Sequence, residues 1–183
     1  MSDHEHEGHH DHGHHEHDEH HAHDAESVGV GVVTVSSSRS LAEDDSGDAI
    51  VDLLEGAGHT VVAREVVVDE REAIAGAIEE LLATPAVEAI ITNGGTGASP
   101  DDVTVPTVRP LFDRELPGFG ERFRARSAED IGPRAMLSTA TAGLSGGVAI
   151  FCLPGSEAAV RLGVSELILP TLGHVVGLAG RDE

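Results

Sequence analysis

Residues 90–103 read ITNGGTGASPDDVT, an apolar run that ends in three glycines and then in paired aspartates. Gly94, Gly95 and Gly97 lack the Cβ atoms that would hold a ligand away from the backbone. A loop of this kind after a strand often cradles phosphate on its N–H groups. It matches neither the Walker pattern nor the dinucleotide fingerprint, so the glycines alone suit a tight strand-to-helix turn equally well. No lysine is at hand to neutralise a phosphate, because all 11 basic residues of the chain are arginine. Mg²⁺ is the alternative source of positive charge, and one or two carboxylates plus phosphate oxygens suffice to hold it. Asp69, which ends an earlier apolar run, and Asp102 are the candidate ligands. Both also stand where an aspartate caps or opens a helix, and that reading stays open beside the metal reading.

A frame of strands and helices has to bring these residues together. VGVGVVTV (28–35) is a near-continuous apolar run, as expected of a strand buried on both faces. After a polar loop, Asp45 with Asp48 opens a helix whose apolar positions Ile50, Leu53, Leu54 and Ala57 recur at helical spacing, and Gly56 and Gly58 close it. Residues 59–68 read as a second strand. Asp69 and Glu72 then stand at capping-box spacing before a helix that ends ahead of Pro85. Residues 87–92 give a third strand. Beyond the glycine loop, Ser99 as cap, Pro100 at the first helical position and Asp102 three residues after the cap predict a helix start. The Arg-rich stretch RELPGFGERFRARSAEDIGPRAM reads as irregular. GGVAIFCLPGS (146–156) is another buried strand, Ser156 caps a helix to about Glu166, and a last helix follows Pro170. Alternating strands and helices predict an α/β fold of three layers, α/β/α, with a mainly parallel, doubly wound sheet. Ligands in such sheets bind beyond the carboxyl ends of the strands, here SSSRS, VVDE, TNGGTG and CLPGS.

The composition changes sharply near residue 26. Residues 1–26 hold 11 of the 13 histidines and 9 of the 33 acids, with too little apolar surface to fold alone, so a disordered tail is expected. The body, residues 27–183, carries 24 acids against 11 arginines, an excess that argues against nucleic acid or an anionic membrane as partner. Such acidity without lysine fits a halophilic protein kept soluble in concentrated salt. With four Phe and no Trp or Tyr, the core has to be aliphatic. Cys152 is the only cysteine and reads as a buried strand residue, which excludes a disulfide framework and suggests a reducing compartment. No apolar run is long enough to span a membrane, and the first residues hold no secretory signal core; the expectation is a cytoplasmic protein.

TVSSSRSLAEDDSG, NGGTGASPDDVT, PLFDRELPGFGERFR, AMLSTATAG and FCLPGSEAAVR, in this order and spacing, resemble the MoaB/MogA family of molybdenum cofactor biosynthesis, whose fold also occurs in the gephyrin G domain. The likeness covers nearly all of 28–178 and is nearest the MoaB branch. It implies an α/β/α domain that assembles as a trimer or a pair of trimers. The implied activity is Mg²⁺-dependent transfer of AMP from ATP to the terminal phosphate of molybdopterin, releasing pyrophosphate, with a molybdate- or tungstate-inserting protein as a further partner. By the same resemblance, Asp69 and Asp102 match the essential, Mg²⁺-holding carboxylates. Gly94, Gly95, Thr96 and Gly97 match the glycine motif, and Pro154, Gly155 and Ser156 the LPG loop. Ser36, Ser37, Asp45, Ser46, Gly47 and Ser138 complete the implied molybdopterin and ATP contacts. Relatives commonly read LSR where this chain has Ser138 followed by Thr139, which removes a cation; Arg134 is a candidate replacement. Arg39 and Arg109 read first as members of surface ion pairs and second as anion contacts.

The tail stands outside this resemblance. His9, His10, His12, His14, His15, His17, His20, His21 and His23, interleaved with carboxylates, form a multidentate ligand for Ni²⁺, Zn²⁺, Co²⁺ or Cu²⁺. His59 and His174 are isolated from the cluster and read as structural. Two alternatives to the enzyme therefore remain: a non-catalytic molybdopterin-binding scaffold, and a metal-handling accessory protein that works through the tail.

Overall fold

The computed structural model describes residues 24–180. The tail histidines proposed as ligands lie outside the described residues. Six strands form one sheet: β1 (Gly29–Val35), β2 (Thr60–Val67), β3 (Ala89–Asn93), β4 (Arg114–Glu115), β5 (Thr141–Ser145) and β6 (Val148–Leu153). Their order is β2-β1-β3-β6-β5-β4. The first four are parallel, and β5 and β4 are added antiparallel at one edge. The helices are α1 (Asp45–Gly56), α2 (Arg71–Leu82), α3 (Thr104–Val108), α4 (Pro117–Ile131), α5 (Glu157–Leu162) and α6 (Leu172–Ala179). No single described helix is long and apolar enough to cross a membrane.

Alternation along each strand builds two cores. Val30, Val32, Ile91 and Phe151 point to one face, where they pack with Ile50 and Leu54 of α1, Phe123 of α4, Val160 of α5 and Leu172 of α6. Val33, Ile90 and Ile150 face the other side, against Ile74 and Ile78 of α2 and Val105 and Val108 of α3. The chain runs from β1 to β2 on one side and returns to β3 on the other. The switch point therefore lies between the carboxyl ends of β1 and β3.

Several local expectations are corrected. The cap of α1 is Asp44, not Asp45: its carboxylate accepts from the Gly47 N–H. Asp69 does not cap α2, because its side chain turns to Ser37 instead. No helix starts at Ser99. Residues 99–102 close a single turn, in which the Asp102 N–H donates to Ser99 O and the Ser99 N–H to Asp102 Oδ2. The chain reaches a helix only at Thr104, whose N–H and hydroxyl are drawn back to the carbonyls of Gly95 and Gly94. The Arg-rich stretch expected to be irregular contains α4, the longest described helix. It buries only Gly120 and Phe123 and so carries little apolar periodicity. A 3₁₀ segment, Gly132–Leu137, follows it. The strand read as 146–156 is β6 alone, paired in a hairpin with β5, whose sequence TAGLS is too small-sided to announce a strand. The helix capped by Ser156 continues past Glu166 through a π-helical segment, Gly163–Ile168.

Candidate functional site at the carboxyl edge of the sheet

The loops that leave β1, β2, β3 and β6 lie side by side and are tied to one another. On the β1 side, the Ser36 N–H donates to Val67 O at 2.8 Å. Ser37 donates to Asp69 Oδ2 through both its N–H and its hydroxyl, each at 2.7 Å. Asp69 therefore stands at the crevice because Ser37 holds it there, and Oδ1 has no protein partner among the described residues.

Next to it, Asp44 is fully buried and accepts from Thr34 Oγ1, Ser46 Oγ, the Gly47 N–H and Arg64 Nη2. Burial alone would raise its pKa; the hydrogen bonds from Thr34, Gly47, Arg64 and Ser46 outweigh it and hold the carboxyl below the usual range. Asp45 is exposed, whereas Ser46 and Gly47 are buried in this network. Among the described residues, Arg39 belongs to no ion pair. It reaches across the crevice, donating from Nη1 to Ser46 Oγ at 2.8 Å and to Gly155 O at 3.2 Å. Arg109, by contrast, pairs with Glu115 on the surface. His59 is structural, accepting from the Val28 N–H, and Cys152 is buried with its thiol pKa pushed up to about 11 by that burial.

On the β3 side, Gly94 and Gly95 have φ of +103° and +61°, a region that L side chains rarely adopt. The Gly94 N–H donates to Leu153 O, and a Cβ on Gly155 would stand 3.1 Å from Gly94 Cα, so the LPG loop leans directly on the glycine loop. A Cβ on Gly97 would stand 2.6 Å from Asp102 Oδ2. That glycine is the space in which Asp102 sits. Asp102 Oδ2 accepts from the Ser99 N–H at 2.8 Å, and its Oδ1, like that of Asp69, has no protein partner among the described residues. Among the described residues, the N–H groups of Gly95, Thr96 and Gly97 donate to no protein acceptor, which leaves three consecutive donors in the loop.

Beside this loop opens a cleft of about 240 Å³, lined by Thr96, Gly97, Ser138, Pro154, Ser156 and Arg134 among others. Thr96 is 2% exposed, and among the described residues its hydroxyl has no partner; both amide atoms of the fully buried Asn93 also lack one there. Arg134 is exposed without an acidic partner among the described residues. Thr139, which stands where an arginine was expected, donates from its N–H (2.8 Å) and its hydroxyl (2.9 Å) to Thr96 O, fastening the glycine loop to the segment after α4. Ser156 caps α5 by accepting from the Ala159 N–H.

The residues singled out in the sequence thus fall into two linked groups. Ser36, Ser37, Asp69, Ser46 and Gly47 lie on the β1 side; Gly94, Gly95, Thr96, Gly97, Asp102, Ser138, Pro154, Gly155 and Ser156 lie on the β3–β6 side. Sequence reasoning missed Asp44, Asn93 and Thr139. Asn93 directly precedes the glycines, but its burial depends on strand neighbours that no local pattern displays. No three His, Cys, Asp or Glu side chains gather into a metal cluster among the described residues. The donor set nonetheless suits Mg²⁺: two carboxylates, each with one oxygen fixed by backbone N–H groups and one oxygen open, leave the remaining positions to phosphate and water.

Residues 31–174 match the model of a family described as "Probable molybdopterin binding domain". The molybdenum cofactor biosynthesis protein B of Bacillus subtilis is 44% identical over 153 residues, covering 83% of this chain and 90% of that one. A crystal structure of a molybdenum cofactor biosynthesis protein B superposes with a TM-score of 0.83 at 43% identity, covering 85% of this chain and 98% of that one. A structure described as the tungsten cofactor synthesizing protein MoaB from Pyrococcus furiosus gives a TM-score of 0.77 at 36% identity, covering 86% and 99%.

Proposed function

The chain belongs to the molybdopterin-binding family of the MoaB and MogA proteins, and from that premise we propose that it acts in molybdenum or tungsten cofactor biosynthesis as a Mg²⁺- and ATP-dependent molybdopterin adenylyltransferase. A terminal phosphate oxygen of molybdopterin attacks the α-phosphorus of ATP. The bond from that phosphorus to the bridging oxygen breaks, and pyrophosphate leaves. The observation that carries this reading is a pair of aspartates beyond the carboxyl ends of the strands, Asp69 held by Ser37 and Asp102 seated against Gly97, each with an Oδ1 that has no protein partner among the described residues, in a chain without lysine.

The nucleophile is already anionic, so the protein's task is alignment and charge neutralisation. The N–H groups of Gly95, Thr96 and Gly97, without acceptors among the described residues, orient phosphate oxygens. Arg39 holds the β1 loop, the start of α1 and the LPG loop in one arrangement, and Arg134 offers positive charge at the mouth of the cleft. Asp69 and Asp102 would hold Mg²⁺, which when bound lowers the charge on the transferring phosphoryl group. A homotrimer or hexamer, and onward delivery to a protein that inserts molybdate or tungstate, belong to the same reading.

The test is pyrophosphate release by the full chain in molar KCl with Mg-ATP, with and without molybdopterin. Release that requires molybdopterin and yields the adenylylated pterin is expected. A folded protein that binds molybdopterin but releases no pyrophosphate would overturn the transfer reading in favour of a scaffold. Release without molybdopterin would instead identify a nucleotide pyrophosphatase.

A further inference from the structure

The glycine loop owes its shape to two threonines outside it. Thr104 is fully buried at the start of α3, where its hydroxyl donates to Gly94 O at 2.8 Å and its N–H to Gly95 O at 3.1 Å. Thr139 donates to Thr96 O through its N–H at 2.8 Å and its hydroxyl at 2.9 Å. The successive carbonyls of Gly94, Gly95 and Thr96 are therefore all held by protein donors. The glycines make room for this hold: a Cβ on Gly95 would stand 2.3 Å from Thr104 Oγ1, and one on Gly94 would stand 2.2 Å from Val35 O. Thr139 is itself braced, since Arg124 Nη1 donates to the carbonyls on either side of it, Ser138 O at 3.3 Å and Ala140 O at 3.1 Å.

A trans peptide is planar, with its C=O and N–H pointing in opposite directions. Fixing the carbonyl of one residue thus aims the N–H of the next. Thr104 turns the Gly95 and Thr96 N–H groups away from itself, and Thr139 does the same to the Gly97 N–H. These are the N–H groups of the loop that have no acceptor among the described residues, whereas the Gly94 N–H is taken by Leu153 O. The buried Thr96 side chain, whose hydroxyl also lacks a partner among the described residues, lines the cleft beside them. Donors fixed in advance need no reorganisation when an anion binds.

We infer that Thr104 and Thr139 are positioning residues: their hydroxyls lock the peptides of the glycine loop so that the N–H groups of Gly95, Thr96 and Gly97 meet the oxygens of one phosphate group. Both act through the loop backbone. The inference rests on the phosphate role proposed for the loop, and ATP and molybdopterin both present phosphate oxygens that the loop could hold.

Titration of the ¹⁵N-labelled full chain with Mg-ATP and, separately, with molybdopterin tests this, with dissociation constants from calorimetry. One of the two ligands is expected to shift the amide signals of Gly95, Thr96 and Gly97, which identifies the phosphate that the loop holds. Thr104→Val and Thr139→Val keep the side-chain shape and lose the hydroxyl. Each should weaken that ligand about fivefold, the worth of one neutral hydrogen bond, and leave the affinity for the other ligand unchanged. Thr104→Ser and Thr139→Ser keep the hydroxyl and should bind as wild type does. Serine variants that lose as much as the valine variants, or equal losses for both ligands, would show that the threonines act by packing and would overturn the assignment. So would wild-type affinity in both valine variants, or no shift of those amides with either ligand. Thr139 is exposed, so its variants keep the test decisive even where Thr104→Val fails to fold. Because binding is the readout, a chain that binds but releases no pyrophosphate would refute the transfer reading and leave this inference standing.

Discussion

Asp102 and Gly97 depend on each other: the glycine leaves the space that the carboxylate fills, and the carboxylate closes the turn at Ser99. Their substitutions should therefore converge on one phenotype by two routes. Asp102→Asn keeps an oxygen for the Ser99 N–H but loses the negative charge, so the fold should persist while adenylyl transfer falls at least a hundredfold. Gly97→Ala keeps the charge but places a methyl group 2.6 Å from Oδ2, forcing the carboxylate aside at little cost to the rest of the loop. Pyrophosphate release, read beside circular dichroism, checks both. If Gly97→Ala kept full activity, the position of that carboxylate would be irrelevant to the reaction. The glycines and both aspartates were legible in the sequence because loop composition after an apolar run reports them. Their partners were not. Asp69 and Asp102 resemble helix caps in any local window, and only Ser37, 32 residues away in sequence, shows that Asp69 is held for another reason.

At the scale of elements, β1, β3 and β6 could be read because strands buried on both faces need near-continuous apolar runs, and the half-buried edge strand β2 because Val dominates it on both sides of Arg64 and Glu65. In contrast, α4 and β5 could not, since one is mostly solvated and the other is built of small residues. The choice of cap for α1 shows the same boundary. EDDSGD offers several acids, and Asp44 is selected only by Thr34 from β1 and Arg64 from β2, which meet it in the folded chain. Asp44 thus joins three elements, and Asp44→Asn leaves Arg64 without its buried counter-charge. Losing one partner of such a pair costs about 3 kcal/mol. The native pKa of Asp44 lies below its unfolded value of about 3.9. The carboxylate therefore contributes fully above that value, and its contribution is lost as pH falls through the native pKa. Urea unfolding should show the variant weakest relative to wild type at pH 7, with the gap narrowing below about pH 4. A gap that stayed constant down to pH 3 would mean that the effect is packing, not charge.

Over the whole molecule, the acid excess of residues 27–183 acts against the compact state, because folding brings like charges together. Many of those acids form no ion pair among the described residues. Asp52, Glu55, Glu72, Glu79, Glu121 and Asp130 are exposed and form no ion pair with any described arginine, while Arg64, Arg109, Arg126 and Arg161 are already paired. Salt should relieve the repulsion, since the screening length falls from about 10 Å at 0.1 M to about 3 Å at 1 M. Relief of about 3 kcal/mol corresponds to a rise in melting temperature of roughly 6–12 °C for a domain of this size. Salt can also strengthen apolar burial, and a charge variant separates the two causes. Replacing those six acids with their amides removes six negative charges and leaves both cores untouched. If repulsion limits stability, the variant should melt higher than wild type in 0.1 M KCl and gain less on going to 2 M. Two parallel curves of melting temperature against KCl would show instead that salt acts through the aliphatic core, and that the acidic surface keeps the protein soluble without setting its stability.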